Sequence, residues 1–439
     1  MPAMKNFVIL GAGTAGTMMA NKLARALPAR EWRITVVDRD NHHAYQPGFL
    51  FVPFHGYEPG EIVRSRRRYL SRAIEFVEAA IERIEPDHNL VRLAGGGTLR
   101  YDFLIIATGT RPVPEQNEGM LGPEWHKSVG EFYTLAGCTA LQRQLDRFKG
   151  GRLVVNIAEM PIKCPVAPLE FAFLADAYFR AKGLRDRVEI DYVTPLPAAF
   201  TKPKAAGLLG DFLTQRRINL QADFALARVD QAAKKIVSWD EREVPYDLLV
   251  TVPTNMGDPV IGASGLGDEL NYVPTDKHTL VCKAAPNIFA LGDATDLPSS
   301  KAGSVAHFQA DVLFENILSV IGGRAPEAKF DGHANCFIES GDGKALLIDF
   351  SYDVEPLPGR YPLPFIGPMA LLKETRLNHF GKLMFKWVYW NLLLPARLPP
   401  IGSHFSMTGK QRPGPTPPIK SPPPPPTATP QIHEHSHHQ

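Results

Sequence analysis

The chain has few cysteines for its length and no excess of either charge. Its 439 residues include four cysteines, Cys138, Cys164, Cys282 and Cys336, and 48 lysines and arginines against 46 aspartates and glutamates. Four widely spaced cysteines exclude a disulfide scaffold, and the lack of any close cysteine–cysteine or cysteine–histidine pair argues against a structural zinc site. A net charge of +2 gives no reason to expect nucleic acid as a partner.

Long apolar runs are also absent. None reaches the roughly 20 residues that a membrane-spanning helix needs, so no such helix is predicted. The apolar stretch at residues 7–10 lacks the charged leader of a signal peptide and runs directly into a glycine motif, so we interpret it as a strand. Hydrophobic residues at 44% and charged residues at 21% exclude global disorder. At about 150 residues per domain, the length predicts two or three domains.

The end of the chain differs in composition from the rest. Residues 411–439 hold 10 of the 40 prolines. Such a segment cannot bury enough apolar surface to fold, so it is predicted to be a disordered tail. It contains four histidines, His433, His435, His437 and His438, which we interpret as solvated because no fixed geometry would hold a metal ion among them. No metal site is predicted.

Three glycines form a GxGxxG motif between a short apolar strand and a helix. Gly11 allows the tight turn, Gly13 lets the backbone approach a pyrophosphate, and Gly16 lets the helix pack on the sheet. The helix, at residues 14–27, begins with free N–H groups that attract phosphate. Asp38 ends the next strand, 22 residues beyond Gly16, where a carboxylate accepts hydrogen bonds from ribose hydroxyls. This βαβ pattern predicts a dinucleotide site.

Two later segments place polar residues and glycines directly after apolar strands. Thr108 and Gly109 follow one such strand, and Gly292 and Asp293 follow another. With the GxGxxG motif, these segments resemble the two-dinucleotide-binding-domain flavoproteins. The resemblance implies an α/β fold with two Rossmann-like domains, and FAD bound on the first glycine motif. It also implies that Asp293 binds the ribityl chain of FAD, and that the helix after Lys301 directs its positive end at the flavin.

The second domain lacks the motif that would bind NADH or NADPH. Members of the flavoprotein family that use these donors carry a second GxGxxG after the strand that opens this domain. Here the strand at residues 152–157 is followed by prolines, an acid and a cysteine, and no glycine occurs between Gly151 and Gly183. The sequence therefore predicts a nucleotide-binding fold without a NAD(P)H site.

A cysteine occupies the place of that missing motif. Cys164 lies beside Lys163 and just ahead of a helix predicted over residues 168–182. A thiol next to a lysine and near a helix N-terminus is expected to have a lowered pKa. Glu170, in the first turn of this helix, could shuttle protons or only complement the helix dipole.

The order of these elements resembles sulfide:quinone oxidoreductase over roughly residues 4–410. The resemblance implies that Cys164 and Cys336 form a redox pair near the flavin, that sulfide attacks the pair, and that sulfur is retained as a persulfide or polysulfide. Two electrons then pass to FAD and on to quinone. Many members carry a third cysteine where residues 128–130 lie here, so its loss leaves the length of the sulfur chain open. Related flavocytochrome c sulfide dehydrogenases attach FAD to a cysteine, but residues 41–54 contain none, so FAD is predicted to be non-covalent.

Residues 361–410 are apolar and aromatic, with six lysines or arginines and one acid. Apolar residues recur at helical spacing, including Phe380 and Trp387, which predicts a helix over residues 377–394. A basic helix with an apolar face is typical of an interfacial membrane anchor, and a quinone reductase needs access to the bilayer. Packing on the protein's own core, or an oligomer interface, is the alternative. The basic run at residues 66–68 is interpreted as a solvated face, with anionic lipid as the second choice.

These features predict four regions. Residues 1–115 with 275–330 form an FAD-binding domain, 116–274 a second Rossmann-like domain, 331–410 a membrane and quinone region with amphipathic helices, and 411–439 a tail. The resemblance implies an FAD-dependent oxidoreductase at the periphery of the cell membrane, on its cytoplasmic face. Its expected partners are sulfide, a membrane quinone and the lipid surface, with a homo-oligomer left open. The alternatives are a type II NADH:quinone dehydrogenase and a flavin redox sensor without turnover.

Overall fold

The computed structural model describes residues 4–362, 367–397 and 402–411. The predicted tail and its histidines, apart from residue 411, lie outside the described residues. The helices are α1 (Thr14–Ala26), α2 (Leu135–Arg147), α3 (Ala167–Ala181), α4 (Pro203–Gln215), α5 (Pro259–Ala263), α6 (Gly303–Ile321) and α7 (Arg376–Val388), which continues as a π-helical turn (Tyr389–Leu393).

The strands are given in three groups in chain order. The first group is β1 (Lys5–Leu10), β2 (Trp32–Asp38), β3 (His42–Ala44), β4 (Val63–Ser65), β5 (Ile74–Glu78), β6 (Ile81–Glu85), β7 (Leu90–Leu93), β8 (Thr98–Arg100), β9 (Phe103–Ile106) and β10 (Thr110–Pro112). The middle group is β11 (Val129–Gly130), β12 (Gly151–Ile157), β13 (Val188–Val193), β14 (Ile218–Gln221), β15 (Leu226–Asp230), β16 (Lys235–Ser238), β17 (Glu243–Pro245), β18 (Leu248–Val252) and β19 (Asn255–Gly257). The last group is β20 (Ile288–Ala290), β21 (Ala334–Gly341), β22 (Lys344–Phe350), β23 (Gly359–Tyr361) and β24 (Met369–Leu371).

The first sheet is parallel, in the strand order β20–β9–β1–β2–β5. Its central strands are runs of buried apolar residues, as expected for a sheet covered on both faces. The strand predicted at residues 7–10 and the strand predicted to end at Asp38 are confirmed as parts of β1 and β2. The glycine motif, Asp38, Thr108 and Gly292 follow four of these parallel strands. They therefore meet at the carboxyl edge, where α/β proteins bind ligands.

The second sheet is also parallel, in the order β11–β18–β12–β13–β14. The helix predicted over residues 168–182 is confirmed as α3 to within one residue at each end. Because α3 follows β12 after a turn at residues 158–165, this turn is the counterpart of the glycine turn at residues 11–16. We call residues 11–16 the first turn and residues 158–165 the second turn.

The third sheet has the order β21–β22–β24–β23 and lies against helices of both nucleotide-binding units. On one side, the Glu339 N–H donates to Glu170 Oε1 of α3 at 2.7 Å. On the other, the Ser304 hydroxyl of α6 donates to the Asn335 carbonyl at 2.7 Å. Strand β21, which carries Cys336, is thereby held between the starts of α3 and α6.

Helix α7 packs on the third sheet through a buried asparagine. The Asn378 amide donates to the carbonyls of Ala370 at 2.8 Å and Lys373 at 3.0 Å. The helix predicted over residues 377–394 is confirmed in position, but its last part is π-helical from Tyr389. Among the described ranges, no helix combines the length and hydropathy needed to cross a membrane.

Candidate functional site

A cavity of about 720 Å³ lies at the carboxyl edge of the first sheet and extends to α3, β21 and α7. Its volume is in the range of about 300–1,000 Å³ that is usual for small-molecule sites. Of the residues predicted for the site, those that border the cavity are Gly11, Gly13, Asp38, Thr108, Gly109, Cys164, Glu170, Gly292, Asp293, Lys301 and Cys336. The fold thus brings together residues that are hundreds of positions apart.

Each of the three glycines in the first turn is favoured over other residues for a different steric reason. Gly11 has a φ of 99°, and a Cβ there would lie 2.4 Å from the carbonyl oxygen of Ala107. Gly16 lies behind the cavity, since a Cβ there would lie 1.9 Å from the Gly11 carbonyl oxygen. At Gly13 a Cβ would meet no described atom within 4 Å, because this residue borders the cavity. A side chain at Gly13 would therefore occupy the space offered to a ligand.

The residues around this space fit FAD. The start of α1 presents backbone N–H groups suited to a pyrophosphate. The hydroxyl of Thr108 is buried at the cavity and has no hydrogen-bond partner within the described residues. Gly13 leaves a cradle that a Cβ would fill. Donors, a free hydroxyl and open backbone are what a dinucleotide requires at this edge of a sheet.

Asp38 and Arg66 hold the first turn from two sides. Asp38 Oδ2 accepts a hydrogen bond from the Ala12 N–H at 2.7 Å and lies 3.3 Å from Arg66 Nη1. Arg66 also donates to the Ala12 carbonyl at 2.8 Å. Burial raises the pKa of Asp38, and the Arg66 guanidinium opposes this rise. The Arg66 side chain is only 13% exposed, so the interpretation of residues 66–68 as a solvated face is wrong for Arg66.

A buried carboxylate and two lysines lie where the first domain meets the second turn. Lys301 Nζ donates to the carbonyl oxygens of Asp293 at 3.2 Å and Thr295 at 2.6 Å. Burial lowers the pKa of Lys301 to about 8, with the Asp293 carboxylate opposing. Burial likewise raises the pKa of Asp293, against the charges of Lys301 and Lys163. The Lys163 cation therefore stabilises the Asp293 carboxylate, and the carboxylate stabilises the cation.

Cys164 and Cys336 reach the cavity from two different sheets. The Cys164 N–H donates to the Lys301 carbonyl at 2.6 Å, and the Tyr133 hydroxyl donates to the Cys164 carbonyl at 3.3 Å. Burial, and next the nearby Cys164, raise the pKa of the Cys336 thiol. All four cysteines lie within the described ranges as free thiols, and of these Cys164 and Cys336 border the cavity.

The predicted lowering of the Cys164 pKa is wrong. Burial raises the pKa of this thiol to about 12, and the Glu170 carboxylate raises it further. The cation that opposes the rise is Lys382 of α7. Lys163 is adjacent in sequence, but its charge interacts first with Asp293. The second turn therefore favours the neutral thiol, because desolvation outweighs the neighbouring cation.

Glu170 belongs to a buried network of charges that reaches the surface. Its carboxylate forms an ion pair with Lys382 Nζ. Burial raises the pKa of Glu170, and Lys382 opposes the rise. Burial would lower the pKa of Lys382, but Glu170 and Glu339 raise it above its ordinary value. Glu339 contacts His379 Nδ1 at 2.9 Å, and the His379 side chain is 26% exposed. Glu170 therefore interacts with Lys382 and Glu339 as well as lying in the first turn of α3.

The second turn consists of residues with side chains that pack inward or form hydrogen bonds. The side chains of Ile162 and Lys163 are buried. Glu159 Oε2 accepts a hydrogen bond from the Thr254 hydroxyl at 3.1 Å, and the Lys163 N–H donates to Asn255 Oδ1 at 3.2 Å. Side chains, rather than bare backbone, thus cover the carboxyl edge of β12. The absence of a NAD(P)H site stays a prediction.

Arg66, Lys382 and Tyr389 are among the residues that border the cavity but were not assigned to the site from the sequence. The helical pattern did carry a signal for Lys382. Two residues after Phe380 correspond to roughly 200° around a helix, so Lys382 lies opposite the apolar face, on the side that must meet the protein. Arg66 and Tyr389 gave no comparable signal, because their contacts depend on residues far away in the chain.

Comparisons with known proteins agree with this geometry. Residues 5–310 match the family model described as pyridine nucleotide-disulphide oxidoreductase. The mitochondrial sulfide:quinone oxidoreductases of Mus musculus and Dictyostelium discoideum are 27% and 26% identical over 394 and 396 residues, covering 88% and 89% of this chain and 86% of each relative. The X-ray structure of the sulfide:quinone oxidoreductase from the hyperthermophilic bacterium Aquifex aeolicus has a TM-score of 0.75 at 20% identity, covering 88% of this chain and 92% of that chain.

The family match spans more than half of the chain, and it includes the first turn, the second turn and the Gly292–Asp293 segment. The relatives confirm the resemblance to sulfide:quinone oxidoreductases that the motifs indicated. The mixed α/β fold with two Rossmann-type units is confirmed as well. This chain belongs to the pyridine nucleotide-disulphide oxidoreductase family, as a flavin-dependent oxidoreductase whose cofactor is FAD and whose relatives are sulfide:quinone oxidoreductases.

Proposed function

We propose that this enzyme oxidises sulfide and passes the electrons to a membrane quinone. One observation carries the proposal: Cys164 and Cys336 border a single cavity together with the first turn and the inner side of α7. Sulfide oxidation needs a pair of thiols, FAD needs the dinucleotide turn, and a quinone needs an apolar approach. The activities named for the curated relatives support the same assignment.

The sulfur step starts from a Cys164–Cys336 disulfide, for which the two free thiols of the structure give up two protons and two electrons, the electrons to FAD when it is bound. Hydrosulfide attacks one sulfur and the S–S bond breaks, so that this cysteine becomes a persulfide while the other leaves as a thiolate with the electron pair. When bound, FAD supplies a two-electron acceptor beside the pair. Cys164 is proposed as the leaving sulfur, because its anion is stabilised by Lys382 and by a backbone hydrogen bond from Ala167 at the start of α3. Cys336 then carries the persulfide, from which a polysulfide could grow.

Glu170 and Lys382 are proposed to handle the protons of this cycle. A carboxyl group whose pKa is raised by burial is a better proton acceptor than an ordinary carboxylate, so Glu170 can take a proton from sulfide and release it again. Lys382 remains a cation, because Glu170 and Glu339 raise its pKa against the effect of burial. Protons can then exchange with solvent through Glu339 and His379, which lie on the path to the surface.

The two sides of α7 support a membrane position. Large apolar side chains on its outer face have exposed fractions between 37% and 58%: Leu377, Phe380, Leu383, Met384 and Trp387. The opposite side places Lys382 and Phe385 at the cavity. An exposed apolar stripe on a basic helix matches the pattern of an interfacial anchor. We therefore propose peripheral attachment through the outer face, with quinone entering the cavity along α7.

Type II NADH:quinone dehydrogenase is the main alternative, and the second turn disfavours it. A sensor without turnover is the other. Anaerobic addition of sulfide to the purified enzyme is expected to bleach the flavin, and a soluble short-chain ubiquinone should restore its absorbance. Millimolar NADH should leave the flavin oxidised on the same timescale. Rapid bleaching by NADH but not by sulfide would replace this proposal with the dehydrogenase, and bleaching without reoxidation by quinone would favour the sensor.

FAD is proposed to be bound without a covalent link. Residues 41–54 border the first turn but contain no cysteine. Acid precipitation should therefore release all of the flavin into the supernatant. Flavin that stays in the pellet would contradict this proposal.

A further inference from the structure

One face of α1 contacts the segment that follows α7. Thr14, Asn21 and Arg25 are spaced by seven and four residues, which places them on one line along the helix. Asn21 Nδ2 donates to the Leu394 carbonyl at 2.9 Å, and Arg25 Nη1 donates to the Ala396 carbonyl at 2.6 Å. Residues 389–396, which we call the C-terminal strap, therefore lie along the helix that begins at the first turn.

The start of the strap contacts the first turn itself. The Tyr389 hydroxyl lies 2.7 Å from Thr14 Oγ1 and 2.6 Å from His43 Nε2. His43 Nδ1 lies 3.2 Å from the Ala12 carbonyl oxygen. Tyr389 is 2% exposed and also borders the cavity. A residue of the C-terminal region is thus bonded to the loop on which FAD is bound.

The protonation state of His43 sets the direction of these hydrogen bonds. Burial, and next the charge of Arg66, lower the pKa of His43 to about 3, so the ring is neutral at physiological pH. A carbonyl can only accept, so Nδ1 carries the hydrogen and donates to Ala12, and Nε2 must accept from the Tyr389 hydroxyl. The Tyr389 oxygen is then free to accept from the Thr14 hydroxyl. Each group in the chain has one defined role, and Tyr389 is its central member.

The π-helical turn allows two consecutive side chains to pack inward, Tyr389 against the first turn and Trp390 against Tyr69. Tyr389 and Trp390 are consecutive, yet each is only 2% exposed. The Trp390 ring packs on Tyr69 with centroids 4.9 Å apart, while Tyr389 faces the first turn. Both aromatic side chains therefore face inward, although α7 up to Trp387 has an exposed apolar face.

We propose that Tyr389 is a positioning residue for FAD, and that the C-terminal strap holds the first turn in the geometry that binds the cofactor. FAD affinity then depends on a segment nearly four hundred residues away from the glycine motif. The inference rests on FAD as the cofactor and not on sulfide as the substrate. Its experiment therefore leaves both substrates out.

The first test is the rate at which FAD leaves the holoenzyme. After dilution, released flavin is measured by its gain in fluorescence. Tyr389→Phe should release FAD about tenfold faster, because Thr14 and His43 each lose a buried partner. Tyr192→Phe is the matched control: this tyrosine is also buried, and within the described chain its hydroxyl has no hydrogen-bond partner. Its release rate should equal that of the wild type.

A second variant separates positioning from general stability. If Thr14 acts through Tyr389, the double variant Thr14→Val/Tyr389→Phe should release FAD no faster than the faster single variant. Strictly multiplicative effects, or a wild-type release rate for Tyr389→Phe, would overturn the proposal.

The wild-type enzyme provides a test that needs no variant. Coupling between two sites is reciprocal, so FAD should stabilise the strap as the strap stabilises FAD. Saturating FAD should slow amide hydrogen exchange in peptides covering residues 389–397 at least threefold relative to FAD-depleted enzyme. Peptides from α4 should exchange at the same rate in both. Equal exchange in the strap with and without FAD would overturn the proposal even if Tyr389→Phe failed to fold.

Discussion

Both halves of this enzyme contain a strand, a turn and a helix in the same order, β1 to α1 in the first half and β12 to α3 in the second. Each turn contains a left-handed residue, Gly11 with a φ of 99° and Cys164 with a φ of 48°. In the first turn glycines leave the backbone bare. In the second turn the left-handed position is occupied by a cysteine, although glycine would adopt this conformation with less strain.

The difference teaches how one architecture supports two chemistries. Where the turn lacks Cβ atoms, as at Gly13, a dinucleotide can approach the N–H groups of the following helix. Where side chains fill the turn, the start of the helix instead presents reactive groups, here Cys164 and Glu170, to a cofactor held by the other half. Side-chain volume at the turn therefore separates a cofactor site from a reactive site. The four predictions below test this contrast.

The largest effect is expected from adding a side chain to the first turn. Gly13 has φ −76° and ψ −161°, which any residue can adopt, so Gly13→Val should fold. Its methyl groups would enter the space for the pyrophosphate. We expect FAD affinity to fall at least a thousandfold, about 4 kcal/mol, measured by flavin titration of the apoprotein.

Gly207→Val is the control for this change. Gly207 lies in α4, and a Cβ there also meets no described atom within 4 Å. It should bind FAD as the wild type does. If Gly13→Val retains its flavin, the first turn does not hold the pyrophosphate.

The next effect concerns the two cysteines that border the cavity, Cys164 of the second turn and Cys336 of β21. Cys164→Ser and Cys336→Ser should each slow sulfide-driven flavin reduction at least a hundredfold, on the order of 3 kcal/mol, while FAD stays bound. The double variant should be no slower than either single one, because the two sulfurs act as a unit. Stopped-flow absorbance of the flavin is the measurement.

Cys138→Ser serves as the control for both cysteine variants. This buried thiol donates to the Leu135 carbonyl at 3.3 Å, a bond that a serine hydroxyl can replace. It should reduce its flavin at the wild-type rate. Near-normal rates in both Cys164→Ser and Cys336→Ser would exclude a cysteine-based mechanism.

A smaller effect is expected on membrane binding, which quinone needs in order to reach the cavity between the two turns from a lipid surface. Phe380→Ser/Trp387→Ser removes two exposed apolar side chains of α7, so their contact with the apolar part of a lipid surface would be lost. Liposome binding, measured by flotation, should weaken at least tenfold while FAD stays bound. Deleting residues 411–439 should leave binding unchanged.

Point variants are preferable to removing α7, because a deletion from Leu377 also removes the contacts of Tyr389 with the first turn. Trp239→Ser is the control, since this tryptophan is 76% exposed but lies in the second Rossmann-type unit. If the α7 variant still floats with liposomes, the outer face packs on protein instead.

The smallest expected effect is the acid sensitivity of the first turn. The pKa of His43 falls from 6.5 to about 3 on folding, so the unfolded chain binds a proton that the folded protein does not. Stability from this residue is present above pH 6.5 and is lost as the pH falls toward 3. Between pH 6.5 and 5 the loss is about 2 kcal/mol.

Replacing His43 with glutamine should flatten the decline in stability between pH 6.5 and 5. Urea unfolding with saturating FAD measures it, and His42→Gln, whose side chain is 79% exposed, is the control. An unchanged decline in His43→Gln would mean that other groups dominate the acid limb.

Much of the site could be predicted from local pattern. The glycines of the first turn, Asp38 and the Gly292–Asp293 segment follow predicted strands, and parallel strands bring their carboxyl ends to one edge. Cys164 and Cys336 were paired only through the family resemblance, and the structure brings both to the cavity. The electrostatic prediction for Cys164 failed, because it used the neighbour in sequence, Lys163, rather than the neighbour in space.

The sequence by itself determined where the strands and turns lie, and which turn could accept a dinucleotide. These properties depend on the period of apolar residues and on the presence or absence of a Cβ, and both are local. Only the tertiary structure decided that Lys382 faces Cys164 and that Tyr389 bonds to Thr14 across 375 positions. Desolvation and charge–charge interactions act through space, so they depend on distances that the order of residues does not contain.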